Sequence, residues 1–172
     1  MSKVIGVVAV DSKYGIGNEG KLLPFPREDM LHFQSTVKDG VILCTGSTYN
    51  QMRKSLGEFF VYSRKPIYYV SAKRACSSGA YLLNIAKRHA ASVDKDVYLC
   101  GGKRLYELLQ SQVDEWVITV DENVYPSDCT LPWIESLFTD PSWNKEVIKE
   151  LTPTVKLYKV TKNVDNIGVA VV

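Results

Sequence analysis

Residues 4–10 read VIGVVAV, an apolar run rich in β-branched side chains with no polar residue in it. Successive side chains of a strand point to opposite faces, so a strand with one wet face shows a polar residue at every second position. This run shows none. It reads as a strand buried on both faces, which is the situation of a parallel sheet covered by helices. Similar short runs recur at VILCTG (41–46), PIYYVS (66–71) and VYLCGG (97–102), each ending in glycine or serine. Between them lie helix-permissive segments: PREDMLHFQSTV, STYNQMRKSL, AYLLNIAKRHAAS and KRLYELLQSQV. Strands alternating with helices of this length imply crossover units and a mostly parallel sheet.

The last third has a different rhythm. WVITVDENV (116–124), VKLYKVTKN (155–163) and IGVAVV (167–172) read as strands with little helix between them, and NVDN (163–166) as a hairpin turn. LPWIESLFTDPSW (131–143) is the most irregular stretch and reads as a surface crossover. The expected fold is α/β: one domain over residues 1–172, a mixed, mostly parallel twisted sheet with an antiparallel C-terminal edge, and about four flanking helices.

Composition narrows the function. The chain has 172 residues, enough to bury a real core in one domain. Its formal net charge of +2 lacks the basic footprint of a nucleic-acid binder, yet allows a small anion held by a few local cations. Four cysteines, at 44, 76, 100 and 129, form no CxxC pattern, and two histidines make a histidine-rich metal site improbable. Cys44 and Cys100 sit in apolar runs and read as small buried hydrophobes. The first apolar run is too short to span a membrane and lacks a signal-peptide cleavage region. A reduced, cytoplasmic protein is expected, without membrane, nucleic-acid or metal partner.

In open α/β sheets ligands bind beyond the carboxyl ends of the strands, so the residues after each run are where chemistry belongs. The 11–25 loop carries Gly15, Gly17 and Gly20, which permit positive φ and motion. Its GIG lacks the third glycine and the helix start of the dinucleotide fingerprint. A mobile lid and an ordinary surface loop fit it equally. The segment after Pro26 places Arg27, Glu28 and Asp29 in a helix first turn, where acids suit the dipole. Spacing separates the two acids: Asp29 and Phe33 are i and i+4 and share a face flanked by Met30 and Val37, whereas Glu28 points elsewhere. A carboxylate beside Phe33 would be partly desolvated and suited to proton handling. From spacing alone the dipole is sufficient reason for it.

VYLCGGKRLYELL runs a buried strand through Gly101-Gly102 into a helix near Lys103. Tight glycines at a helix start let backbone N–H groups approach a phosphate, and Lys103 and Arg104 add charge. TGST (45–48) and SAKR (71–74) offer two more candidate anion contacts on one sheet edge, which together point to a ligand with several phosphates; singly, each reads first as a helix cap or a solvated charge pair.

Taken in order, these pieces resemble the dihydrofolate reductase family, best from residue 4 to 132. IGVVAVDSKYGIGNEGKL resembles the family's first strand and active-site loop. That implies Ala9 facing the pterin, Ile16 and Gly17 near the cofactor, and Leu22 or Leu23 covering the nicotinamide. DMLHF resembles the acid helix, implying Asp29 as the acid and Phe33 as a wall against the substrate rings. VILCTGSTYNQM supplies the family's glycine, threonine and aromatic, here Gly46, Thr48 and Tyr49, with Ser47 where a basic residue is common. SRKPIYYVS implies Arg64 as partner of the substrate's glutamate carboxylate. CGGKRLYE matches the double-glycine motif, with its cis peptide, and places Cys100, Gly101, Gly102, Lys103, Arg104, Leu105 and Tyr106 around the cofactor. WVITVD places Thr119 against the acid, and YPSDCTLP gives Asp128 as a brace for the closed loop. PFPRED is shorter than usual, with Phe25 in place of a tryptophan. Selectivity for a 2′-phosphate then rests on Ser71, Lys73 or Arg74.

The resemblance implies NADPH-dependent reduction of 7,8-dihydrofolate to tetrahydrofolate, supporting one-carbon metabolism and thymidylate synthesis. Hydride goes to pterin C6 and a proton to N5. Val7, Val8, Ile16, Met30, Phe33 and Cys100 would form the apolar pocket. A monomer is expected. Two other readings fit the fold: a riboflavin-pathway type of reductase, which Asp29, Phe33 and Arg64 disfavour, and a retired binding subunit, which the joint presence of Asp29, Thr119, Arg64 and Gly101-Gly102 disfavours.

Overall fold

Strand β1 (Val4–Val10) is buried at every position but Ala9, as a run without polar residues requires. It pairs in parallel with β7 (Val97–Leu99), Val4 beside Val97 through Gly6 beside Leu99. The computed structural model of the protein describes residues 2–53, 57–64 and 72–163. The expected strands at 66–71 and 167–172, and the turn after Asn163, lie outside them.

The chain forms two compact units, residues 1–7 with 31–113 and residues 8–30 with 114–172. In the first, β4 (Gly40–Thr45) pairs in parallel with β7 and with β5 (Gly57–Tyr62), and β5 with β6 (Arg74–Cys76). Helix α2 (Gly46–Met52) leads from β4 to β5, α3 (Gly79–Ser92) from β6 to β7, and α4 (Lys103–Leu109) follows β7. α3 starts on Ser78, whose hydroxyl accepts from Tyr81 N–H, the bond that makes serine a good N-cap. Its buried stripe of Leu82, Leu83, Ala86 and Ala90 recurs at helical spacing. β4 is buried from Gly40 to Cys44, paired along both edges by β5 and β7 and packed by α2 and α3. Each fully buried leucine or isoleucine here contributes about 1.5–3 kcal/mol over an exposed one.

In the second unit, β8 (Glu115–Asp121) pairs antiparallel with β11 (Val155–Lys162), and β11 with β10 (Trp143–Thr152). Trp116, Ile118, Leu131, Ile134 and Leu157 are its largest buried apolar groups. Within the first unit the strands follow the order β1-β7-β4-β5-β6, all parallel, and within the second β10-β11-β8, all antiparallel, as the two rhythms of the sequence indicate. The 131–143 stretch is more regular than expected: it holds helix α5 (Ile134–Thr139). The 11–25 stretch is also structured. β2 (Gly15–Asn18) and β3 (Lys21–Leu22) form a hairpin, and β9 (Cys129–Thr130) pairs with β2. The turn residues Glu19 and Gly20 both have positive φ, at 51° and 76°, the arrangement a two-residue hairpin turn favours. Helix α1 (Arg27–Val37) follows. Among the described residues no helix is long and apolar enough to cross a membrane.

Candidate active site

Asp29 lies in the first turn of α1, half-buried, whereas Glu28 beside it is exposed. Thr119, on β8 and 3% exposed, donates from Oγ1 to Asp29 Oδ1 over 2.6 Å. A hydrogen bond this short to a carboxylate fixes its orientation. The other acid of the pair, Glu28, is left to the solvated helix start, so α1 does separate the two carboxylates. Met30 is 43% exposed and Phe33 half-buried on the same helix. Val7, Val8 and Ile16 are buried, and Ala9 is half-buried. Leu22 and Leu23 divide sharply: Leu22 is 56% exposed, Leu23 only 4%. Arg64 is exposed in the bend after β5.

The hairpin of β2 and β3 is held by the segment 125–130. Glu19 N–H donates to Asp128 Oδ2 at 3.0 Å, and Ser127 Oγ donates to Gly17 O at 2.7 Å. Gly15 permits the approach, since a Cβ there would fall 2.8 Å from Ser127 Oγ.

The first unit carries a separate constellation at the ends of β4 and β7. Thr45 N–H donates to Gly101 O at 2.7 Å, and Gly102 N–H donates to Thr45 Oγ1 at 3.0 Å. One threonine thus brackets the Gly101–Gly102 peptide, which is cis. Gly101 has φ +104°, and a Cβ on it would come within 3.1 Å of the Tyr106 ring. That ring is fixed in turn by a 2.6 Å bond from its hydroxyl to Val7 O. Thr45 is the N-cap residue of α2, but its hydroxyl is directed to Gly102 and makes no cap bond; α4, starting after Gly102, is uncapped too. Two helix starts therefore keep backbone donors for an outside acceptor. Thr48, half-buried, and Ser47, exposed, lie in the first turn of α2; Lys103 and Arg104, both exposed, open α4, ahead of buried Leu105 and Tyr106.

In the sequence Thr45 carries only a weak signal, a hydroxyl directly before the strand-end glycine. Cys44 and Cys100 are buried, as expected of small hydrophobes. Burial pushes the Cys44 thiol up to about 12, and the Cys100 thiol well above its usual value. Thiols so held protonated are poor nucleophiles. Lys73 Nζ lies 3.0 Å from Glu58 Oε2, which also accepts from His89 Nε2 at 2.7 Å. Arg74, exposed, stands 5.8 Å over the Tyr81 ring and donates to its hydroxyl at 3.2 Å. Ser71 lies outside the described residues. Among those described, no group of three His, Cys, Asp or Glu side chains could hold a metal ion.

A sequence model described as dihydrofolate reductase matches residues 3–158. The dihydrofolate reductase of Mycoplasma genitalium is 24% identical over 131 residues, 73% of this chain and 80% of that protein. Among solved structures, the dihydrofolate reductase from Enterococcus faecalis complexed with NADP(H) and RAB-propyl superposes with a TM-score of 0.70 at 18% identity, covering 94% of this chain and 96% of that one.

Proposed function

The chain belongs to the dihydrofolate reductase family, and from that premise we propose that it reduces 7,8-dihydrofolate to 5,6,7,8-tetrahydrofolate with NADPH, a step that feeds one-carbon metabolism and thymidylate synthesis. The observation that carries the reading is the Thr119–Asp29 bond. A carboxylate oriented by a strand hydroxyl is held in a fixed direction. It is suited to the paired N–H donors of a pterin's 2-amino group and N3. Held there, the negative charge favours a proton at N5, delivered through a water.

The bracketed glycines and the two uncapped helix starts fit a phosphate-bearing cofactor. NADPH held there would supply the hydride for pterin C6. The chain's own part is placement and exclusion of water. Gly46, Ser47, Thr48, Gly101, Gly102, Lys103 and Arg104 would hold phosphates. Leu22, exposed on β3, is the leucine free to cover the nicotinamide, since Leu23 is already buried. Phe33 would wall the aminobenzoyl ring, and Arg64 would take the glutamate carboxylate. The same reading makes the protein a cytoplasmic monomer.

Absorbance decay at the NADPH band with dihydrofolate tests the proposal. Wild type should turn over, and Asp29→Asn should lose at least about a hundredfold in rate. No turnover by wild type, or unchanged turnover in Asp29→Asn, overturns it.

A further inference from the structure

Two carboxylates lie deep in the second unit and take no part in the chemistry above: Asp11, 1% exposed at the end of β1, and Asp121, 0% exposed at the end of β8. Buried acids persist only where hydrogen bonds replace their water. Asp11 Oδ1 accepts from Lys13 N–H at 2.9 Å and Gly15 N–H at 2.8 Å, closing the chain's turn into the β2–β3 hairpin. Asp121 Oδ1 accepts from the backbone and side-chain nitrogens of Asn123, each at 2.9 Å. The second oxygen of each acid is taken by a single residue. Tyr125 N–H donates to Asp11 Oδ2 at 3.0 Å, and Tyr125 OH donates to Asp121 Oδ2 at 2.7 Å. The Tyr125 ring meets Phe25 edge-to-face, with centroids 6.1 Å apart and planes at 86°.

Those three partners are not a random set. Asp11 is where the chain enters the hairpin. Phe25 is where it leaves, one residue before Pro26, whose carbonyl accepts the Asp29 N–H at 3.0 Å. Asp121 is two residues beyond Thr119 on the strand that holds the Asp29 carboxylate. We propose that Tyr125 is a positioning residue that ties the entrance and exit of the β2–β3 hairpin to the strand of Thr119, and so sets the hairpin and the Asp29 carboxylate in one arrangement. The idea rests on the functional reading above. Phe25 gains a role here as well: an aromatic without an N–H still offers the face that the Tyr125 edge packs against. The Asp121 bond, then burial, also raise the tyrosine's pKa.

Removal of the hydroxyl should loosen the hairpin without touching a ligand contact. In Tyr125→Phe, kcat should fall roughly tenfold while the KM values for dihydrofolate and NADPH stay within about threefold, the split expected when geometry rather than binding is lost. Amide hydrogen exchange over residues 13–22 should accelerate, with helix α3 unchanged. Phe25→Leu, which spares both buried acids, should change kcat and exchange in the same sense by less. This second variant keeps the test open where Tyr125→Phe folds poorly. A kcat within twofold of wild type, or unaltered exchange over 13–22, overturns the inference. Wild-type turnover alongside such a result leaves the dihydrofolate reading standing; an Asp29→Asn variant that retains full activity overturns that reading independently.

Discussion

Thr119 Oγ1 and Asp29 Oδ1 are 2.6 Å apart, a strand hydroxyl donating to a carboxylate in the first turn of a helix. Thr119 is nearly enclosed, so its donor is not replaced by bulk water. Thr119→Val keeps the shape and removes the donor. Stability should change by about 1 kcal/mol, whereas on the proposed function kcat/KM for dihydrofolate should fall roughly ten- to a hundredfold, because the carboxylate proposed to hold the pterin loses a bond that orients it. Thermal melts together with steady-state kinetics separate the two effects. A change in stability with no change in kcat/KM would show the bond to be structural only.

Gly101 meets two independent demands. Its φ of +104° is a region that side chains avoid, and a Cβ there would sit 3.1 Å from the Tyr106 ring. Tyr106 cannot retreat without giving up its bond to Val7 O. Gly101→Ala should therefore cost about 1–3 kcal/mol, read as a lower melting temperature, and raise the KM for NADPH. Gly102→Ala should be milder, since the nearest atom to a Cβ there, Thr45 Oγ1, is at an ordinary 3.5 Å.

How far the sequence reaches can be judged on particular elements. β1, β4, β8 and β11 were legible because burial writes itself as apolar runs or alternation. β10 was not: WNKEVIKELT is exposed through Asn144–Glu150, so no face of it carries the apolar signature, and its strand character comes from pairing with β11. β5 (GEFFVY) was passed over because it is short and lies close to a second apolar run at 66–71. Spacing separates Asp29 from Glu28, but only the geometry shows that Thr119 holds Asp29. Thr45 and Tyr125 escaped for a shared reason: their roles are hydrogen bonds to residues far off in sequence, 57 positions on for Thr45 and 114 back for Tyr125, and no local pattern encodes such a bond.

Glu58 gives a prediction for acid stability. The hydrogen bond from His89, then that from Lys73, holds its carboxyl below the ordinary value of 4.5. A carboxyl lowered by folding stabilises the folded state above its unfolded pKa, and the gain is lost as pH falls through the folded value. Wild type should thus be more stable than Glu58→Gln at neutral pH, and the gap should close below about pH 4.5. Melting temperatures of both proteins from pH 7 to pH 3 check the sign. A gap that widens on acidification would contradict it.

The same carboxylate bears on cofactor choice. Lys73 and Arg74 are adjacent and both cationic, but Lys73 is ion-paired with Glu58 at 3.0 Å, while Arg74 is held over the Tyr81 ring, a partner that leaves its charge uncancelled. A dianionic 2′-phosphate should therefore draw mainly on Arg74, whose planar fork also suits two oxygens at once. Arg74→Ala should raise the KM for NADPH roughly tenfold and leave that for NADH nearly unchanged, with Arg74→Lys between. Lys73→Ala should change the KM for NADPH by no more than about threefold, the modest value of an exposed, already paired cation. Glu58→Gln releases the Lys73 ammonium, so it should strengthen NADPH binding while weakening the fold. Steady-state kinetics with both nucleotides on these variants decide the matter. A larger loss from Lys73→Ala than from Arg74→Ala would assign the 2′-phosphate to the lysine, and would mean that the Glu58 pair opens when the cofactor arrives.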